Sequence, residues 1–162
     1  MIIQGEMGII NQNRYSEIKH ASFDPGDIVK PSTGVTLWNK EGEVIQTNEL
    51  DIKNLNLLLD WLESNCNLEC IIAEEFRLYQ HKALQQSGST LPAVQIIGML
   101  KRSAYKMQNE LIEIRADCKG IAAAWSQTKM PSGHLPNWMA SYLVGYYHLH
   151  KIGIIPAKVL EV

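Results

Sequence analysis

Features that this chain lacks exclude several classes of protein. It has three cysteines, an odd number, and no second cysteine pair that would complete a zinc site. Its apolar runs are too short to span a bilayer. The first residues have neither the basic nor the apolar segment of a signal peptide. We therefore predict one cytoplasmic domain over residues 1–162 with reduced cysteines and a weakly structured lead-in at 1–16.

An excess of basic charge is also missing, since the net charge is −2. The charges are unevenly distributed along the chain. Residues 1–76 carry thirteen acidic and five basic side chains, whereas residues 77–129 carry eight basic and three acidic ones. A basic middle segment of this kind can form a phosphate-binding surface, although ordinary surface solvation produces the same pattern. The candidate DNA-binding residues are Arg77, Lys82, Lys101, Arg102 and Lys119.

Hydrophobic periodicity predicts an α/β fold without repeats or linkers. Alternating residues indicate strands, apolar residues three or four apart indicate helices, and the Pro25-Gly26 pair ends the first strand. The predicted order is β-β-β-α-β-α-β-α-α, which is a mixed sheet with three antiparallel strands followed by strands joined through helices. The predicted ranges are strands 17–23, 34–38, 43–47, 68–73 and 111–116, and helices 52–64, 89–107, 119–128 and 134–151. The predicted core faces of two helices are Ala93, Val94, Ile97, Leu100, Ala104 and Met107 in the helix at 89–107, and Ala140, Leu143, Val144 and Tyr147 in the last helix.

Acidic residues follow two of the predicted strands. Asp24 ends the first strand, and Glu74 and Glu75 end the fourth. The carboxyl ends of strands are where open α/β sheets form their sites. Carboxylates held close together repel one another unless a cation lies between them, which indicates a hard divalent metal. A surface pair of acids that caps a strand is the alternative interpretation.

Two further polar residues begin the last predicted helix. His134 and Asn137 are three positions apart and therefore share a helix face. We expect the first and fourth strands to be neighbours and the last helix to pack across them, so that these side chains meet Asp24 and Glu74. Two carboxylates, an imidazole and an amide oxygen form a reasonable ligand set for Mg²⁺ or Mn²⁺.

Five segments, in this order along the chain, carry a resemblance to a known family. The chain resembles the RuvC-type Holliday-junction resolvases of the ribonuclease H-like superfamily, in particular the small phage-encoded branch. The similarity extends over roughly residues 18–153. The matching segments are Phe-Asp-Pro-Gly at 23–26, Thr-Gly-Val-Thr-Leu-Trp at 33–38, Ile-Ile-Ala-Glu-Glu-Phe-Arg at 71–77, Leu-Pro-Ala-Val-Gln-Ile-Ile-Gly at 91–98, and the stretch 133–147.

The resemblance implies a ribonuclease H-like mixed five-stranded sheet flanked by helices. It also implies an endonuclease that resolves Holliday junctions or other branched DNA by Mg²⁺-dependent phosphodiester hydrolysis with two metal ions, with Mn²⁺ as a substitute and no small-molecule cofactor. Asp24, Glu74, His134 and Asn137 fall on the family's catalytic and metal-binding positions, and a general-base role is the alternative for His134. A twofold homodimer formed through the middle helix is the implied assembly.

One position departs from this family, because Asn137 stands where an aspartate is normal. An amide oxygen can bind a metal but brings no charge, so both metal affinity and catalysis are expected to fall. The chain is then an engineered inactive form, a naturally inactive branched-DNA binder, or an enzyme that tolerates the amide. A more remote similarity of Asp24, Gly26 and residues 33–34 is to the phosphate loop of actin-like ATPases and sugar kinases, which need two such domains.

Overall fold

The computed structural model describes residues 12–26, 32–76 and 92–156. In these residues, a short 3₁₀ helix (Gln12–Glu17) precedes five strands and four α-helices, in the order predicted from the sequence. No helix in these three ranges is long and apolar enough to cross a membrane. The elements are β1 (His20–Asp24), β2 (Thr33–Trp38), β3 (Val44–Leu50), α1 (Ile52–Asn65), β4 (Cys70–Glu74), α2 (Pro92–Lys106), β5 (Leu111–Ile114), α3 (Cys118–Ser126) and α4 (Asn137–Lys151).

The five strands form one mixed sheet in the order β3-β2-β1-β4-β5. β2 is antiparallel to both β1 and β3, whereas β4 is parallel to both β1 and β5. This arrangement confirms the predicted mixed sheet and the predicted pairing of the first and fourth strands. Because Phe23 lies opposite Ala73 in the parallel ladder, the next residues, Asp24 and Glu74, are the last residues of their strands and lie at the same end of the sheet.

Both faces of the sheet are covered, which explains why every residue of β1 is buried. One core contains Phe23 and the apolar residues of α1 and α2. The other contains Ile72 and the apolar residues of α3 and α4. Since successive side chains of a strand point to opposite faces, Ser22 and Asp24 face the α3 and α4 layer.

One prediction about a helix face is wrong, and another is only partly correct. Val94, which belongs to the predicted apolar stripe of α2, is 48% exposed, and Ile96 is buried instead. Tyr147, which belongs to the predicted stripe of α4, packs against the core but is only half-buried, whereas Tyr146 is buried. Tyr147 stacks on Trp125 of α3 with ring centroids 5.5 Å apart. The buried faces differ from the predicted stripes at these positions because the neighbouring layer, which periodicity alone does not locate, selects the buried face.

Two glycines allow α4 to lie close to the sheet. A Cβ atom added to Gly34 of β2 would overlap the backbone carbonyl of Asn137. A Cβ atom added to Gly145 would overlap the hydroxyl of Ser22 and the indole of Trp38. Hydrogen is therefore the only side chain that fits at either position without a shift of the helix, and Gly34 sets the separation at the helix's first residue.

Buried hydroxyl groups fix the same helix along its length. The Ser22 hydroxyl donates to the Ser141 carbonyl at 2.7 Å and accepts from Trp38 Nε1 at 2.9 Å. The Thr36 and Ser141 hydroxyls share a hydrogen bond of 2.9 Å. Buried polar groups that satisfy one another favour one register of packing over others. The start of α4 is thereby held at the end of the sheet where Asp24 lies.

Candidate functional site

Two carboxylates lie at the carboxyl ends of the central parallel strands. Asp24 is 8% exposed and pairs with Gly34 of β2, and Glu74 pairs with Ile114 of β5. Both strands are interior strands of the sheet. The prediction that the ends of these two strands are adjacent is therefore confirmed, and the site lies where topology places sites in open α/β sheets.

The Glu74 carboxylate is paired with a lysine from the next helix. Lys119 Nζ lies 2.7 Å from Glu74 Oε2, and the two side chains are 23% and 17% exposed. Burial by itself lowers the pKa of Lys119, but the charge and hydrogen bond of Glu74, helped by the charge on Asp24, raise it above its ordinary value. The lysine is therefore protonated, and its ammonium group lies within electrostatic reach of both carboxylates.

The negative charge of Glu74 also affects Cys118, the residue before Lys119. Burial, followed by the negative charge of Glu74, raises the pKa of the Cys118 thiol to about 12. A thiol with this pKa remains protonated at neutral pH and is a poor nucleophile and a poor metal ligand. Cys118 is a free, buried packing residue, as predicted for the cysteines of this chain.

Asn137 begins α4 and is buried, with 4% of its surface exposed. Its Nδ2 donates to the Ser32 backbone carbonyl at 2.8 Å and to the Ser32 hydroxyl at 3.0 Å. Its backbone lies against Gly34, the residue that pairs with Asp24. Asn137 is thus one strand away from the acidic pair, and its amide nitrogen is used to hold the start of β2.

Three other residues near this end of the sheet, His134, Trp138 and Glu75, differ in their backbone positions and exposure. The prediction that His134 shares a helix face with Asn137 is wrong, because α4 begins at Asn137. His134 is exposed in the bend before the helix and follows Gly133, which has a φ of +96°. Trp138 is 40% exposed, and its backbone N–H donates to Glu49 Oε1 at 3.2 Å, which puts a carboxylate at the helix amino terminus. The Glu75 backbone N–H donates to the Ile114 carbonyl at 2.7 Å.

The side-chain oxygens at this end of the sheet are of the kind that binds a divalent metal. Asp24 and Glu74 supply the hard oxygen ligands that Mg²⁺ and Mn²⁺ prefer. Within residues 12–26, 32–76 and 92–156, no three His, Cys, Asp or Glu side chains are grouped so that they could hold a metal ion. Lys119 also occupies one face of Glu74. The described residues therefore offer Asp24 and Glu74 as the carboxylates at this end of the sheet, which is a smaller set than the four predicted ligands.

The predicted DNA-binding residues are dispersed. Lys101 and Arg102 are exposed on α2, which covers the sheet face opposite α3 and α4. Lys101 Nζ lies 3.5 Å from Glu113 Oε2. Lys119 lies at the acidic pair, and Arg77 and Lys82 fall outside the described residues. Contact of these residues with DNA stays a prediction.

Sequence reasoning missed the partners of two site residues. Lys119 was assigned to a phosphate-binding surface, and its pairing with Glu74 was not foreseen. Asn137 was assigned as a ligand, and its bonds to Ser32 were not foreseen. The available signal was topological, because β5 and the helix that follows it must lie beside β4 once a parallel sheet is assumed.

Comparisons with known proteins agree with this architecture. No family model matches the chain, and no curated protein matches it by sequence. Among solved structures, Thermus thermophilus RuvC in complex with a Holliday junction substrate aligns at 10% identity with a TM-score of 0.58. A second structure of T. thermophilus RuvC aligns at 11% identity with a TM-score of 0.55. Each alignment covers 85% of this chain and 98% of the other. The chain therefore has a ribonuclease H-like fold of the RuvC type.

Proposed function

We propose that this chain is a structure-selective DNA endonuclease that cleaves four-way junctions or other branched DNA by divalent-metal-dependent phosphodiester hydrolysis. One observation carries the proposal. Two buried or half-buried carboxylates, Asp24 and Glu74, end the adjacent central strands of a fold similar to RuvC, a structure of which contains a Holliday junction. Carboxylates at the carboxyl ends of adjacent parallel strands suit a hydrolase that uses a metal ion.

In this proposal Asp24 and Glu74 hold Mg²⁺, or Mn²⁺ as a substitute. When bound, the ion supplies Lewis-acid chemistry that polarises the phosphate and activates water. His134 is proposed as a further ligand or as the base that accepts a proton from water, because it is exposed and only three residues before Asn137. Asn137 orients the start of β2 and brings no charge of its own.

The proposed substrate also suggests an assembly. Resolution of a four-way junction requires two symmetric cuts, for which a twofold homodimer is the natural arrangement. The proposed interface is α2, where Val94 is 48% exposed and Tyr105 is 83% exposed. Lys101 and Arg102 lie on the same helix and are proposed to contact phosphates near this interface. The proposed location is the cytoplasm of a bacterium or of a phage-infected cell.

A second function is favoured by two specific contacts. The Asn137 amide is committed to Ser32, and the Lys119 ammonium neutralises Glu74. Both contacts satisfy the site without a metal, which suits a protein that binds branched DNA and does not cut it. This alternative shares the DNA surface proposed above and differs from it only in catalysis.

A cleavage assay separates the two functions. The end-labelled four-way junction is incubated with the protein in Mg²⁺ or Mn²⁺, and a gel shift in Ca²⁺ measures binding. Paired symmetric nicks support the endonuclease, whereas tight binding without nicks supports the non-catalytic binder. The absence of both junction binding and junction cleavage would contradict both functions.

Two variants assign any cleavage to the site. Asp24→Asn and Glu74→Gln are expected to lower the cleavage rate by about a hundredfold or more, since even the outer partners of metal ligands contribute about 10–100-fold. Junction binding in Ca²⁺ should persist. Glu110→Gln, an exposed acid after α2, is the matched control and should cleave like the unmodified chain. Cleavage retained by Asp24→Asn would show that the carboxylate pair is not the active site.

A further inference from the structure

Lys119 differs from the other lysines and arginines whose ion pairs the structure describes. Its 2.7 Å contact with Glu74 is shorter than the 3.1 Å contact of Arg14, the 3.5 Å contacts of Lys101 and Lys106 and the 3.7 Å contact of Arg115. Its side chain is 23% exposed, whereas those four are between 38% and 65% exposed. An ion pair with this geometry and burial is not ordinary surface solvation.

The backbone holds Lys119 in place at the start of α3. The Cys118 N–H donates to the Arg115 carbonyl at 3.1 Å, and the Lys119 N–H donates to the Ala116 carbonyl at 3.3 Å. The side chain of Cys118 is buried in the core beneath the helix. The turn after β5 therefore delivers the lysine to the end of β4, where it faces the two carboxylates.

A protonated amine in this position has the electrostatic role that a metal would otherwise take. Asp24 and Glu74 are adjacent acids in a largely buried site, and a nearby positive charge offsets their repulsion. An ammonium ion and a divalent cation repel each other, so both cannot occupy the same face of Glu74 without a loss of binding free energy.

We propose that Lys119 is a positioning residue that serves as the built-in cation of the acidic site and competes with a divalent metal for Glu74. The inference deepens the proposed function and rests on its assignment of Asp24 and Glu74 as metal ligands. It predicts that the unmodified chain binds a single Mn²⁺ weakly and that removal of the lysine charge strengthens binding.

The test measures metal binding in the absence of DNA. Mn²⁺ is titrated into the unmodified chain and into Lys119→Met by calorimetry, and free Mn²⁺ is counted by electron paramagnetic resonance. Removal of the like charge beside Glu74 lowers the electrostatic cost of placing Mn²⁺ there, so we expect the Kd for Mn²⁺ to fall by about tenfold or more in Lys119→Met.

Thermal unfolding gives a second readout. Lys119→Met should have a lower Tm than the unmodified chain in EDTA, because the half-buried Glu74 carboxylate loses its paired ammonium group, and Mn²⁺ should restore most of the loss. Lys106→Met removes an exposed lysine from a long ion pair and is the matched control. Lys119→Arg keeps the charge and should bind Mn²⁺ as weakly as the unmodified chain.

Specific outcomes would overturn the inference. They are an unchanged Kd for Mn²⁺ in Lys119→Met, two bound Mn²⁺ ions in the unmodified chain, or no Mn²⁺ binding by either protein. If Lys119→Met is recovered unfolded, Lys119→Gln retains a hydrogen-bond donor for Glu74 and replaces it in the same titration. Folding of either variant only in Mn²⁺ supports the inference.

The Mn²⁺-binding test of Lys119 and the junction-cleavage test of the endonuclease can give different answers. Tighter Mn²⁺ binding by Lys119→Met without junction cleavage by any form supports the role of Lys119 and contradicts the endonuclease. Junction cleavage by the unmodified chain together with an unchanged Kd in Lys119→Met supports the endonuclease and contradicts the role of Lys119.

Discussion

The side-chain amide of Asn137 donates hydrogen bonds to the backbone carbonyl and the hydroxyl of Ser32, 105 positions earlier in the chain. A carboxylate accepts hydrogen bonds and, when ionised, cannot donate one to a carbonyl oxygen. An aspartate at position 137, which the family resemblance leads one to expect, would therefore lose the bond to the Ser32 carbonyl and place its charge beside that oxygen, and it could only accept a hydrogen bond from the Ser32 hydroxyl. The asparagine has a structural role that an aspartate cannot perform.

Asn137→Asp is accordingly expected to lower the free energy of unfolding by about 1–3 kcal/mol in EDTA, the usual effect of leaving a buried polar group without its partner. Urea unfolding measures the change. Asn67→Asp is the matched control, since Asn67 is exposed before β4. Equal stability of Asn137→Asp and the unmodified chain would contradict the importance of the Ser32 bonds. Metal-dependent cleavage that appears only in Asn137→Asp would identify the unmodified chain as a disabled enzyme.

Gly34→Ala tests how closely α4 must approach the sheet. The added methyl group would overlap the Asn137 carbonyl, so the helix must move and we expect a loss of about 1–3 kcal/mol of stability. Gly98→Ala is the matched control, because its methyl group would meet nothing within 4 Å and it lies inside α2. That variant should gain up to about 1 kcal/mol from helix propensity. Similar stability changes in the two variants would contradict the close approach at Gly34.

Charge reversal on α2 tests the proposed DNA surface. Arg102→Glu and Lys101→Glu should weaken junction binding and reduce the slope of log affinity against log salt by about one for each phosphate that the variant no longer binds. Gel shifts at several salt concentrations measure both quantities. Lys40→Glu is the control, since Lys40 is exposed in the turn between β2 and β3, at the end of β2 away from Asp24. An unchanged slope for Arg102→Glu would show that Arg102 does not bind a phosphate.

The lowered pKa values of two histidines make the free energy of unfolding depend on pH. Burial lowers the pKa of His20, and burial followed by the positive charge of His20 lowers the pKa of His148. The unfolded chain then binds more protons than the folded chain as the pH falls below about 6.5, so the folded state loses stability on acidification.

Urea unfolding between pH 7.5 and pH 5.5 measures this dependence. The slope should not exceed about 1.4 kcal/mol per pH unit for each histidine, and the half-buried His148 should contribute less than His20. His148→Gln should flatten the curve. A His148→Gln curve parallel to that of the unmodified chain would mean that His148 does not titrate differently on folding.

Much of the fold could be predicted from local patterns. Alternating residues marked the strands, and helical spacing marked the helices, because each pattern reflects burial of one face of a single element. Element ends were less certain, since β1 begins at His20 and β5 ends at Ile114, both inside the predicted ranges. The faces of α2 and α4 were partly misassigned for the reason seen at Val94 and Tyr147, namely that another layer selects them.

The sequence by itself determined the order of elements and placed Asp24 and Glu74 at strand ends, because chain order and the position of an acid after an apolar run are local properties. Only the tertiary structure decided what these residues contact. Lys119 reaches Glu74 across 45 positions, and Asn137 reaches Ser32 across 105. Such contacts depend on strand order and on how closely α4 packs against Gly34, and a linear pattern of polar and apolar residues does not specify either of them.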